Sequence, residues 1–378
     1  MIEGFGGDHR LSPGRPATLG LECYHINARI SKAAEDIGGL RAGKLWRLLC
    51  SCLEAIWCRF RYGVQTMYYV PAPGKRSAVL RDWMVMLLCR PFFPKLILHW
   101  HAAGLAPWLE SEAGPFARAL TRRALRRADL SIVLSEFNRA DAEWFSPKAI
   151  AVVQGGRSDP CPRFDTDILP RRESKVALRR HLMARRDASA PQIVKVVYLA
   201  HGMKEKGLFD TLEGVLLANA QLGAEGFPLR FDLTVIGAFF SEAERVEFQA
   251  QVQQAQASSI VRCLGFVSDE EKSRYLAEAD LFCFPTYYSA ENQPGNLIEA
   301  MAFGLPCVTT KWRSIPEMLP AGYPALVDPK SPPQVASALR LLLTEDLSRV
   351  LRQHFLLHFT QEQNLRGMAA ALRSVEKS

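Results

Sequence analysis

The sequence predicts an α/β protein built on two parallel sheets, each covered by helices. Eight short apolar runs carry the first part of that reading: Leu96–His101, Leu130–Leu134, Ala149–Val153, Ile193–Ala200, Phe231–Gly237, Val261–Phe266, Leu281–Pro285 and Cys307–Thr310. They are continuous rather than alternating, the pattern of strands buried on both faces, and stretches of helix length separate them. The second part is a break in the pattern between Gly155 and Ala190, where Pro160, Pro162 and Pro170 precede Arg171, Arg172, Lys175, Arg179, Arg180, Arg185 and Arg186. We expect a first domain over 1–160, a basic linker over 161–190, a second domain over 191–335, and helices over 336–378 that return towards the first domain. A chain of 378 residues suits two domains, and 48% apolar with 23% charged residues excludes disordered, fibrous and disulfide-knot classes.

Charge divides along the same line. The net charge is +8, but residues 1–190 hold 30 Lys+Arg against 18 Asp+Glu, and residues 191–378 hold 17 against 21. A basic first half suggests contact with an anionic surface or substrate. The nine cysteines are odd in number and lack paired C-x2-C spacing, so a metal centre is not expected and a reduced, cytoplasmic setting is. No apolar run reaches the roughly 18 residues of a membrane span, and Met1–Gly20 has no apolar stretch of signal-peptide length.

Along the first half, Gly43–Tyr62 reads as a helix with apolar positions Leu45, Leu49, Cys52, Leu53, Ile56 and Phe60, bordered by Lys44, Arg47, Arg59 and Arg61 and carrying Trp46 and Trp57. Such a stripe packs on a sheet; the alternative is an interfacial helix on anionic lipid. In KLILHWHAAGL (95–105) a strand places His99 and His101 on one face near its carboxyl end. Arg118, Arg122, Arg123, Arg126 and Arg127 form a basic helix. It is either a solvated face or a docking surface for lipid headgroups or a diphosphate-linked acceptor. Nucleic acid is disfavoured, because aromatic residues are not interleaved with these charges.

The second half is more informative. In FCFPTYYSAENQPGNLIEAMAFGLPCVTTKWRSIPE (282–317) a strand ends in a loop, a helix starts near Gly295 or Asn296, and Gly304 with Pro306 stops it before a short strand. The helix start therefore lies at the carboxyl end of a strand, where free N–H groups and the positive helix end suit a phosphate. Glu291 in the loop and Glu299 one turn inside the helix bracket that position. Gly202-x4-Gly207 is followed by Leu208 and Phe209 rather than Lys and Ser/Thr, which excludes a P-loop, and no G-x-G-x-x-G turn is present.

Glu291-x7-Glu299, with AMAFGLPCVTT after it and FxxDEEKxxYLxEADLFCFPT before it, resembles the donor site of family 4 glycosyltransferases. The likeness extends through VVYLAHGMKEKGLFDTLEGV, LTVIGA (233–238) and RCLGFVS (262–268). It is convincing over about residues 193–335 and thinner over 96–160. The resemblance implies the GT-B fold, two Rossmann-like doubly wound domains facing an interdomain cleft. It also implies transfer of a sugar, with retention of configuration, from a nucleotide diphosphate sugar to a glycan or lipid-linked acceptor. Carried over, Glu299 binds the ribose, Glu291 contacts the donor sugar near the reacting carbon, and His101 lies beside that sugar. Lys206 and the N–H groups of Gly295, Asn296 and Leu297 meet the diphosphate.

Two departures stand out. The family arginine five residues before Lys206 is His201 here, next to Gly202, which gives up a fixed charge and a fork of donors. The family's first strand and Gly-Gly loop are represented only by Met1–Phe5 and Gly6-Gly7, so that strand is expected to be missing, either because the chain has diverged there or because its true start lies upstream. No dedicated base, cofactor or metal is expected, and no Asp-x-Asp pair is found. Peripheral contact with an anionic membrane at its inner face is expected. The rival reading is a non-catalytic glycosyltransferase-like binding subunit.

Overall fold

The computed structural model describes residues 2–11, 18–27, 42–185 and 191–376. Arg186, the side chain of Lys44 and part of the amino-terminal stretch read above lie outside the described residues. The chain forms two units: residues 1–156 with 362–378, and residues 157–361.

The first unit holds a parallel sheet of β1 (Thr66–Tyr69), β2 (Lys95–Trp100), β3 (Leu130–Val133) and β4 (Ile150–Val152), in that order. Its helices are α1 (Ala42–Arg61), α2 (Arg76–Cys89), α3 (Leu105–Ser111), α4 (Pro115–Leu125), α5 (Arg139–Glu143) and the chain's last helix, Gln361–Glu376. Along β2, Leu96, Leu98 and Trp100 join the core under α1 and α2 with Leu48, Cys52 and Met86. Ile97 faces the other way, onto a core with Phe5, Leu21, Leu130, Ile132 and, from the last helix, Met368 and Ala369. Helical cover on both faces is why these strands read as unbroken apolar runs. The edge strands break that rule. β4 has no buried residue, and of the four residues of β1 only Met67 is buried, so no continuous run announced β1.

The amino terminus contributes no strand, as expected: Ile2–Phe5 is a 3-10 turn whose Phe5 plugs the core, and among the described residues no strand precedes Thr66. The reading of the Gly43–Tyr62 stripe needs correction. Helix α1 forms as expected, but Leu48 and Cys52 turn inward while Leu45, Trp46, Leu53, Trp57 and Phe60 are exposed.

The second unit holds β5 (Gln192–Leu199), β6 (Leu229–Ile236), β7 (Val261–Gly265), β8 (Leu281–Phe284), β9 (Cys307–Thr310) and β10 (Leu326–Val327). The order is β10-β9-β8-β5-β6-β7 with every pair parallel. Chain direction across the sheet reverses between β5 and β8. Ligands of open α/β sheets bind outside the carboxyl ends of the strands at such a reversal.

Its helices are α6 (Leu169–Arg185), α7 (Leu208–Ala224), α8 (Glu242–Gln254), α9 (Asp269–Glu278), α10 (Gly295–Ala302), α11 (Pro332–Leu341) and α12 (Ser348–His358). Helix α6 replaces the expected linker. Pro170 sits in its first turn, where a missing N–H costs nothing. Arg172 and Arg179 point inward rather than to solvent. Arg172 donates to the carbonyls of Phe303 and Leu276, and Arg179 donates to the Leu343 carbonyl at 2.9 Å and to Asp280 at 3.1 Å. Burial pushes the Arg172 guanidinium down to about 10, so its bonds to helix-terminal carbonyls are what keep it there. Of the helices expected to return to the first domain only the last does so; α11 and α12 stay in the second unit.

Candidate active site

The loops that follow β5 and β8, the two strands at the reversal, are locked against each other. Gly207 closes the first loop with φ +78°, and a Cβ there would overlap the carbonyl of Pro285 at the end of β8. The Tyr198 hydroxyl donates to the carbonyls of His201 (2.9 Å) and Lys206 (3.3 Å), and the Tyr287 N–H donates to the Glu205 carbonyl at 2.8 Å. Gly202 pairs with Phe239, against whose ring any side chain at 202 would press.

This packing joins two of the residues read from the sequence. Lys206 Nζ lies 2.9 Å from Glu291 Oε2, over the ring of Tyr288 at 4.9 Å. Glu291 is 9% exposed and also accepts from the Thr286 hydroxyl at 3.3 Å. Trp312 donates to the Tyr288 carbonyl at 2.9 Å, and Ser314 donates to the Asn292 carbonyl, so the loop carrying Glu291 is tied down along its length.

Helix α10 starts at Gly295 after Pro294, with no side-chain cap. Asn296 pins it to β5, its Nδ2 donating to the Leu199 carbonyl at 2.6 Å. Its Oδ1 accepts the Leu297 N–H at 2.8 Å. The Leu297 amide, expected to face an anion, is therefore occupied. The Gly295 and Asn296 amides are the first-turn donors with no acceptor among the described residues.

One turn inside α10, Glu299 is paired with Lys272 of α9 at 3.2 Å, and Lys272 also reaches Asp269 at 2.9 Å. Although burial works against its charge, Asp269 and Glu299 hold the Lys272 ammonium above its ordinary value. Lys272 was not singled out from the sequence although its motif, DEEK, was read, because the partner that brings it to α10, Glu299, lies on another element.

His201 is exposed on the β5 loop, and only its backbone carbonyl enters the network. His101 belongs to the first unit, where its ring centroid lies 4.1 Å from that of His99. His99 is buried, with Nδ1 on the Tyr68 hydroxyl and Nε2 without a partner. Burial, reinforced by His101, pushes His99 down to about 3, and burial lowers His101 too. Both rings are therefore neutral at pH 7. Among the described residues no three His, Cys, Asp or Glu side chains cluster as metal ligands would.

Comparison with known proteins bears on the unit that carries this geometry. Residues 193–355 match the family model described as glycosyl transferases group 1, so the second unit carries a group 1 glycosyltransferase domain. The amylovoran biosynthesis glycosyltransferase AmsK of Erwinia amylovora is 29% identical over 158 residues, 41% of this chain and 37% of that protein. The chain thus matches well under half the length of this relative. Among solved structures, sucrose-phosphate synthase from Thermosynechococcus elongatus aligns with a TM-score of 0.63 at 18% identity, covering 97% of this chain and 87% of that one. Anabaena HepE in complex with UDP aligns with a TM-score of 0.60 at 16% identity, covering 86% and 82%. At these identities the likeness shows the fold, the paired parallel α/β units of GT-B glycosyltransferases.

Proposed function

We propose that the chain is a retaining glycosyltransferase that takes a sugar from a nucleotide diphosphate donor and passes it to a glycan or lipid-linked acceptor. One observation carries the reading. At the sheet reversal Lys206 is brought onto Glu291, and an uncapped helix start at Gly295 and the Lys272-paired Glu299 follow Glu291 within eight residues. The group 1 domain, a relative named for amylovoran biosynthesis and a structural neighbour solved with UDP support it.

Glu299, aimed by Lys272, accepts the ribose hydroxyls. Free amides at the start of α10 and the charge on Lys206 receive the diphosphate. In the step itself the bond from the anomeric carbon to the diphosphate oxygen breaks, and the bond to the acceptor oxygen forms on the same face. The acceptor hydroxyl's proton passes to the departing phosphate. Glu291 contacts the sugar near the reacting carbon and holds Lys206 towards the diphosphate, and preorganised charge of this kind supplies several kcal/mol towards the barrier. These groups neutralise the leaving group without a metal or cofactor.

On the acceptor side, α1 exposes Trp46 and Phe60 at 65% and 68%, beside Phe92 and among Arg47, Arg59 and Arg61. Aromatic side chains ringed by arginines fit an anionic lipid surface, which suits an acceptor held at the membrane face. No helix among the described residues is long and apolar enough to cross a membrane.

The test is incubation of the purified chain with nucleotide diphosphate sugars and candidate acceptors, with the anomeric configuration of the product read by NMR. Transfer with retention is expected. A folded chain that binds donor but neither transfers nor hydrolyses it is the binding subunit, and the enzymatic reading fails.

A further inference from the structure

Arg157 opens the second unit, and its backbone is fixed from both sides. Its N–H donates to the Phe359 carbonyl at 2.8 Å, and its own carbonyl accepts from the Gln361 N–H at 2.8 Å. From this anchor the side chain reaches the start of α10. A Cβ on Gly295 would stand 3.2 Å from Cζ of Arg157 and overlap Nη2 outright. Glycine at 295 is what lets the guanidinium lie on the first residue of the helix.

This is an unfavourable place for a cation. The start of a helix carries partial positive charge; here the amides of Gly295 and Asn296 are unused and Pro294 supplies no cap. Other cations of the site have carboxylates: Lys206 has Glu291, and Lys272 has Glu299 and Asp269. The Arg157 guanidinium makes no hydrogen bond or ion pair among the described residues and is open to solvent. Two amides and a fork of guanidinium donors thus converge with no acceptor between them. What completes the arrangement is an anion with several oxygens.

We infer that Arg157 grips the diphosphate of the sugar donor together with the Gly295 and Asn296 amides, supplying from the far end of the unit the charge and forked donors that His201 does not. Arginine matches phosphate oxygens in pairs, which lysine cannot do. The inference rests on the donor-site reading above.

The experiment is calorimetric titration of the full chain, first with UDP, GDP and ADP, then with the nucleoside of whichever binds. In Arg157→Gln the nucleoside diphosphate is expected to bind about ten- to a hundredfold more weakly, because charged hydrogen bonds to phosphate are lost. Nucleoside binding should not change. Arg157→Lys should recover only part of the loss. Gly295→Ala, which pushes the guanidinium aside but keeps its charge, should reproduce part of it. If Arg157→Gln binds the diphosphate as the wild type does, Arg157 is a bystander while the donor site stands. If the wild type binds none of the three diphosphates, the donor-site reading falls and this inference with it.

Discussion

At the scale of single residues, the ion pair between Lys206 and Glu291 governs what a substitution does. Lys206 is balanced by Glu291 at 2.9 Å, so in the proposed reaction it adds little to ground-state affinity and acts chiefly as the leaving diphosphate accumulates charge. Lys206→Ala is therefore expected to lower kcat by about a hundredfold or more while changing donor affinity by less than tenfold. Equal losses in kcat and affinity, read from steady-state kinetics and a binding titration, would contradict that role. Glu291, Glu299, Lys206 and the start of α10 were legible from sequence because each lies inside a short motif whose strand-loop-helix order is local. Lys272 and Arg157 were not. Lys272 acts through a partner 27 residues on, and Arg157 reaches Gly295 across more than a hundred residues, so neither leaves a spacing that a motif can hold.

At the scale of elements, the site depends on how closely the β5 and β8 loops approach. Gly207 starts α7 with a left-handed φ and faces the Pro285 carbonyl with no room for a Cβ. Gly207→Ala should cost about 1–3 kcal/mol in backbone strain alone and displace Lys206 from Glu291. Gly223→Ala, near the end of the same helix with nothing within 4 Å of its Cβ, should be neutral or stabilising by up to about 1 kcal/mol. Urea unfolding of both variants separates the two. A Gly207→Ala midpoint equal to that of the wild type would show that the close approach is not required.

All eight runs became strands. In β3, β8 and β9 burial on both sheet faces writes itself into consecutive residues, whereas β4 and β7 are edge strands with no buried residue and showed only as short β-rich runs. β1 and β10 did not announce themselves. One is an edge strand with a single buried residue and the other has two residues. Helix α6 was read as a linker because its arginines look like solvated charge, and only the fold reveals that Arg172 and Arg179 bond to the carbonyl ends of other helices.

At the scale of the whole molecule, the basic charge resides in the first half, which also carries the exposed aromatic face of α1. Binding to anionic vesicles should follow, strong at low salt and released at high salt. Each basic residue near the surface contributes about 1 kcal/mol, screened within a Debye length of roughly 10 Å at 0.1 M salt. Replacing Trp46, Trp57 and Phe60 together by serine should weaken vesicle binding without moving donor affinity, since these side chains are outside the second unit. A chain that never pellets with anionic vesicles at low salt would place the acceptor in solution. Two-domain organisation was legible from length and from the interrupted strand pattern. The boundary at 156/157 and the return of the last helix alone were not, because both depend on which core a helix face finds.

The central claim is that the sheet reversal of the second unit holds a nucleotide diphosphate sugar, with Glu299 on the ribose. Its most direct test is calorimetric titration of the wild type and Glu299→Ala with the nucleotide that the wild type prefers. Lys272 keeps Asp269 in the variant, so no cation is stranded and the fold should survive. The account predicts affinity lower by about ten- to a hundredfold, the loss of a charged acceptor worth roughly 1.5–3 kcal/mol. A folded Glu299→Ala chain that binds the nucleotide as tightly as the wild type would contradict it.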